Sequence, residues 1–265
     1  MILFPNAKIN VGLHIKSKRA DGYHELETIF YPVNYCDVLE ILPSDEITFS
    51  SSGIDIPGDG NLCLDAYHLL KQDFNIPAVH IHLHKIIPIG AGLGGGSSDA
   101  AFTLKGLNEL FDLQLSREQL RMYAVQIGAD CPFFIENKPM LATGIGEVLL
   151  SIDLDLSAYH IAIVSPNIHV STAEVYSEVI PKEPIYSLKN LIKSSIKEWQ
   201  FQNDFEQSVF AKHPAIKDLK NLLYKQGAVY AAMSGSGSSV FGLFENKPSL
   251  NLIHQYDVVY IKKAR

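Results

Sequence analysis

The chain has 265 residues, a formal net charge of −7, 47% hydrophobic residues and 19% charged ones. That composition supports an ordinary buried core and excludes a disordered chain. The acidic balance argues against a nucleic-acid-binding protein, which needs a basic patch, but leaves nucleotides open as small-molecule substrates. Cys36, Cys63 and Cys131 lie far apart without C-x-x-C spacing, which fits reduced thiols better than a disulfide framework. The opening MILFPNAKIN has no leader pattern, and no stretch reaches the length of a membrane span; the expectation is a soluble, cytoplasmic protein.

Strands dominate the first third. Residues 9–15 alternate apolar and polar side chains, and residues 27–33, 38–42 and 46–49 are short β-branched or aromatic runs between turn residues. Asn61 is placed to cap a helix whose Leu62, Ala66, Leu69 and Leu70 share one face. Residues 79–87 alternate again, and a glycine-rich segment follows. Two helices are predicted over 97–111 and 116–127, the second with Ser116 and Gln119 in capping-box spacing and Gly128 at its end. A polar, acidic stretch at 151–157 separates this half from a strand at 159–164, a helix from Ser171, weak helices through 187–211 and a clearer helix over 214–226. Strands at 228–233 and 239–244 flank Gly235-Ser236-Gly237, and a last helix and strand finish the chain. Helices and strands mix without strict alternation, so the reading is α+β with two domains, 1–150 and 151–265.

The most informative stretch is Pro88-Ile89-Gly90-Ala91-Gly92-Leu93-Gly94-Gly95-Gly96-Ser97-Ser98. Glycines allow backbone amides to turn toward a ligand where a Cβ would collide. The helix that follows points its unpaired N–H groups and positive dipole end at the same place. Ser97 and Ser98 add hydroxyls able to bind a phosphate oxygen or a magnesium ion. A plain strand-to-helix turn is the simpler account, but it does not need five glycines in seven residues followed by two serines. Gly90, Gly92 and Gly95 also fit G-x-G-x-x-G; a dinucleotide fold, however, requires a second strand ending in an acidic residue, and a helix occupies that place here. No Gly-Lys-Ser/Thr closes the loop, and His-Arg-Asp and Asp-Phe-Gly are absent, which excludes the Walker and protein-kinase patterns.

With these residues in view the sequence resembles the GHMP kinases. The 88–98 loop fits their glycine-serine motif, Pro5-Asn-Ala-Lys-Ile-Asn10 their N-terminal motif, and Met233-Ser-Gly-Ser-Gly-Ser-Ser239 their third, glycine-rich one. The segments Arg19-Ala-Asp-Gly-Tyr-His-Glu-Leu26 and Gly128-Ala-Asp-Cys-Pro-Phe-Phe134 are similar to the branch whose substrate is a cytidine-diphosphate-linked methylerythritol. Ala20, where that branch usually has proline, and Asn6 are small departures. The resemblance implies a ribosomal-S5-domain-2-like N-terminal domain, a ferredoxin-like C-terminal domain and an active site in the interdomain cleft. It implies ATP and Mg²⁺, the loop residues Pro88, Gly90, Ala91, Gly92, Leu93, Gly94, Gly95, Gly96, Ser97 and Ser98 around the nucleotide, and Asn61 near the adenine. Lys8 and Asp130 would be the catalytic pair. Asn10, Tyr23, His24, Thr172 and Tyr176 would contact the substrate, with the aromatic rings on the cytosine.

Each residue has a plainer account beside this one. Lys8 alone would read as a surface cation, Asp130 and Asn61 as helix caps, Tyr23 as a hairpin-edge ring and Tyr176 as a buried helix residue. His80, His82 and His84 fall on one strand face, but side chains at that period stand roughly 7 Å apart, too wide for one zinc ion to gather all three. They read as a polar strand face. Alternatives that stay open are a GHMP kinase with another alcohol acceptor, a nicotinamide oxidoreductase and a catalytically silent nucleotide-binding regulator.

Overall fold

The structure, a computed structural model, describes residues 1–58 and 60–249 in full and residues 257–263 as backbone. In chain order the elements are β1 (Ile2–Leu3), β2 (Asn6–Lys18), β3 (His24–Cys36), β4 (Val38–Pro43), β5 (Thr48–Gly53), α1 (Leu62–Asp73), β6 (Val79–Lys85), α2 (Gly95–Leu110), α3 (Arg117–Ile127) and α4 (Cys131–Glu136). There follow β7 (Met140–Gly144), β8 (Val148–Ser151), β9 (His160–Ser165), α5 (Thr172–Glu178), α6 (Leu188–Leu191), a 3₁₀ turn (Ile196–Glu198), α7 (Glu206–Lys212), α8 (Pro214–Lys225), β10 (Tyr230–Met233), β11 (Val240–Phe244) and β12 (Asp257–Lys263). No helix among the described residues is long and apolar enough to cross a membrane.

Contacts group the chain into two units that interleave in sequence. The first holds Met1–Lys8, Asn34–Ile89 and Gly94–Lys138; the second holds Ile9–Val33, Gly90–Leu93 and Pro139–Arg265. Sequence order predicts one cut near residue 150. The contact grouping differs because β2 and β3 share a sheet with β7 and β8, in the order β2-β3-β7-β8.

In the first unit a sheet of order β1-β4-β6-β5 pairs β4 antiparallel and β5 parallel to β6. Leu39, Ile41, Val79, Ile81 and Leu83 fill its buried face. Helix α2 comes close to this face at Gly106, where a Cβ would lie 2.6 Å from Leu3 and 2.9 Å from Ile41. Asn61 caps α1 through Cys63 N–H, and Ser116 and Gln119 form the anticipated capping box on α3. The observed β5 begins at Thr48 and runs on through three serines, because parallel pairing with β6 gives the Ser50 and Ser52 hydroxyls histidine partners.

In the second unit the antiparallel sheet runs β10-β11-β9-β12, the strand order of a ferredoxin-like βαββαβ unit. Helix α8 lays Ile216, Leu219 and Leu223 onto a core that includes Ala162, Val164, Phe205, Ala231 and Val240. The expected last helix lies outside the described residues. Helix α4 and strands β7 and β8 were not anticipated from local sequence pattern.

Candidate active site

Within the first unit the distal half of the glycine loop opens α2. Gly94 takes the N-cap position at φ +70° and offers no side-chain cap. The first N–H groups of this 16-residue helix are therefore available to an acceptor from outside. The Lys8 side chain lies against the same turn: a Cβ on Gly94 would come within 3.1 Å of two Lys8 carbons and 3.0 Å of the Phe134 ring. Glycine here lets the lysine stem pass.

Lys8 Nζ stands 3.5 Å from Asp130 Oδ2, the lysine buried and the carboxylate partly exposed. Burial pushes the Lys8 ammonium below its usual pKa, and Asp130 opposes that shift. Asp130 occupies the N-cap position of α4, yet its side chain makes no capping bond, which leaves the carboxylate turned to Lys8. The Cys131 thiol at the start of α4 is buried, which pushes its pKa up to about 12, and the Ser97 side chain opposes that shift. Ser98 Oγ is fully buried and has no hydrogen-bond partner among the described residues. An unpartnered buried hydroxyl is chemically able to serve a Mg²⁺ ion, which usually takes only one or two protein groups. Asn61 spends its side-chain oxygen on the α1 cap, 2.8 Å from Cys63 N.

Sequence reasoning missed a buried cluster in this unit. Lys85 Nζ donates to Asp37 Oδ2 and, at 2.8 Å, to Asp99 Oδ2, with all three side chains at most 3% exposed. A signal was present: Lys85 falls in phase with Val79, Ile81 and Leu83 on the buried face of β6. Burial pushes the Asp99 carboxyl up to about 8, against the pull of Lys85 and reinforced by Asp37.

Within the second unit the proximal half of the loop is pinned to the C-terminal glycine motif. Ser234 Oγ donates to the Gly92 carbonyl at 2.9 Å, and Ser239 N–H donates to the Ala91 carbonyl at 3.2 Å. Gly92 has φ +77°, and a Cβ there would fall 1.9 Å from the Ser234 carbonyl oxygen. Asn203 donates to the carbonyls of Met233 and Gly235, and Glu206 accepts Met233 N–H at 2.9 Å. Neither residue was foreseen, because neither belongs to a glycine pattern. Asn10 is 2% exposed, and its amide donates to Thr28 Oγ1 while Ser234 reaches its carbonyl oxygen. Thr172 Oγ1 lies 2.9 Å from Ser236 Oγ.

The Gly22 turn is present, with φ +89° at the glycine and the Asp21 carboxylate accepting Tyr23 N–H. It leaves Tyr23 60% exposed. The rings of His24 and Tyr176 stand 5.5 Å apart, and Tyr176 is held edge-on by Phe205 at 4.7 Å. Burial, then the charge of Lys18, pushes the His24 pKa down. A neutral imidazole carries one donor and one acceptor, the pair needed to meet a pyrimidine edge. His80, His82 and His84 form a ladder with Thr48, Ser50 and Ser52, each ring nitrogen contact between 2.7 and 3.1 Å. The hydroxyls of β5 thus occupy this polar face.

The family model "GHMP kinases N terminal domain" matches residues 61–138, and "GHMP kinases C terminal" matches residues 187–256. The 4-diphosphocytidyl-2-C-methyl-D-erythritol kinase of Azobacteroides pseudotrichonymphae is 52% identical over 92% of this chain and 94% of its own length. The chain belongs to the 4-diphosphocytidyl-2-C-methyl-D-erythritol kinases. The enzyme of that name from Parabacteroides distasonis is 53% identical over 94% of this chain and 93% of its own. A crystal structure of 4-(cytidine 5'-diphospho)-2C-methyl-D-erythritol kinase superposes with a TM-score of 0.80 at 34% identity, covering 92% of this chain and 90% of that one. Membership makes the chain an ATP-dependent kinase of α+β, GHMP architecture.

Proposed function

We propose that this chain transfers the γ-phosphoryl group of ATP to the 2-hydroxyl of 4-diphosphocytidyl-2-C-methyl-D-erythritol, as a cytoplasmic enzyme of the non-mevalonate route to isopentenyl diphosphate. The observation that carries the chemistry is the Lys8–Asp130 pair set against Gly94 at the uncapped start of α2. Phosphoryl transfer passes through a loose transition state, so the protein mainly positions reactants and balances charge. The free N–H groups of α2 take the phosphates. Asp130 accepts the proton of the attacking hydroxyl and orients its oxygen. Lys8 pairs with that carboxylate and faces the charge that gathers on the transferring group. Ser97 and Ser98 would hold Mg²⁺, which when bound with the nucleotide neutralises phosphate charge.

In the second unit Tyr23 and Tyr176 offer faces for the cytosine, and His24 offers its edge. Asn10 and Thr172 brace the C-terminal glycine motif through Ser234 and Ser236. Asn61 combines its cap with a place near the adenine. The test is ADP release with ATP and magnesium, the diphosphocytidyl substrate being offered beside mevalonate, homoserine and galactose. Turnover with the cytidylyl compound alone is expected. Turnover with another alcohol would keep the Lys8–Asp130 chemistry and overturn the cytosine reading.

A further inference from the structure

Three ionisable groups buried together are expensive for a fold unless their geometry is needed, and Lys85, Asp37 and Asp99 have no step in the chemistry above. Their positions relative to the glycine loop are specific. Strand β6 ends at Lys85, the loop follows, and α2 begins at Gly95. Asp37 Oδ1 accepts the N–H groups of Ile86 at 2.5 Å and Ile87 at 2.8 Å, the first two residues to leave the strand. Tyr35 OH holds the Ile86 carbonyl at 2.8 Å. From this anchored end Lys85 reaches to Asp99, in the second turn of α2. Its ammonium also sits under the helix start, since a Cβ on Gly95 would lie 2.8 Å from Lys85 Nζ.

We propose that Lys85, Asp37 and Asp99 are positioning residues for the phosphate loop: a buried staple that joins the strand entering the loop to the helix leaving it and fixes the separation of the two ends. Glycines cannot fix that separation, because they bring maximal backbone freedom and no side chains to pack. One ammonium with acceptors on both sides does so, and its charge adds to the positive end of α2. The inference rests on the reading of this loop as the ATP phosphate site.

The experiment compares Lys85→Met, Asp99→Ala and Asp99→Asn with the wild type, each checked by circular dichroism. It records kcat, KM for ATP, KM for the cytidylyl substrate, and ADP affinity by calorimetry. Misplacement on the order of 1 Å suffices for large kinetic losses, so Lys85→Met and Asp99→Ala should raise KM for ATP and the ADP Kd about tenfold or more. KM for the cytidylyl substrate should stay within about twofold, and Asp99→Asn, which keeps an acceptor for Lys85, should recover most of the ATP affinity. Gly92→Ala is run alongside. Undiminished ADP affinity in Gly92→Ala would remove the loop reading itself. Weakened ADP binding there, with folded Lys85→Met and Asp99→Ala binding normally, would overturn the staple alone. Failure of both staple variants to fold would also count against it, because a positioning role leaves the fold standing.

Discussion

Asp99→Asn also reports on the electrostatics of the staple through pH. An unfolded Asp99 ionises near 3.8, whereas burial holds the folded carboxyl to about 8. Between those values the native state binds one more proton than the unfolded chain, so this site makes stability fall as pH rises. One proton corresponds to about 1.4 kcal/mol per pH unit, and from pH 5 to pH 8 the loss from this group is roughly 3–4 kcal/mol. Against a total of about 5–15 kcal/mol for a typical fold, such a change is easy to measure. Asparagine has nearly the same shape, still accepts from Lys85, and leaves its second polar atom where Asp99 Oδ1 already lacks a partner. Urea unfolding at half-unit pH steps should show a wild-type stability that declines across this window more steeply than that of Asp99→Asn. Glu206, another carboxyl raised by burial, is common to both proteins and cancels in the difference. Parallel curves from pH 5 to pH 8 would refute the argument and mean that Asp99 stays ionised in the folded protein.

The proposed role of the Lys8–Asp130 pair predicts that Asp130→Ala and Lys8→Ala reduce kcat by about 100-fold or more, the size of a lost general-base contribution, while a nucleotide titration still shows binding; near-normal turnover in either would discard the mechanism. Tyr23→Ala should raise KM for the cytidylyl substrate and leave that for ATP nearly unchanged, as checked by initial rates with each substrate varied in turn. Gly92→Ala places a methyl group in van der Waals conflict with the Ser234 carbonyl and demands a left-handed backbone. A strain of about 1–2 kcal/mol from backbone handedness alone should appear as a lower Tm and weaker ADP binding.

Much of this was legible in the sequence for identifiable reasons. The strands β2 and β6 announce themselves by alternation, β4 by a short β-branched run between turn residues, and Asn61 and Ser116 mark helix starts by their capping chemistry. The glycine loop is recognisable because positive-φ positions at Gly90, Gly92 and Gly94 admit few other residues. What the sequence hid depends on distance along the chain. Asp37 and Asp99 reach Lys85 from 48 and 14 residues away, and Asn203 reaches Met233 across 30. No local window contains both partners. Helix α4 escaped notice for another reason: at six residues, with a proline at its start, it is too short to show periodicity.

The two glycine segments are held by the same arrangement built twice, once in each unit. In the first, the Asp37 carboxylate accepts the amides of Ile86 and Ile87 and is countered by Lys85. In the second, the Glu206 carboxylate accepts the amide of Met233 and is countered at 2.6 Å by Lys220. Glycine-rich backbone cannot be immobilised by packing, since it has no side chains to interlock with neighbours. Neutral acceptors could satisfy the same amides, but hydrogen bonds to ionised acceptors are shorter and roughly twice as strong. A buried carboxylate is tolerable only beside a cation, which is why each brace brings its own lysine. The lysines in these braces therefore belong to the geometry of the loops, whereas the carboxylate partner of Lys8, Asp130, remains partly exposed, as the proposed contact with a reacting hydroxyl requires.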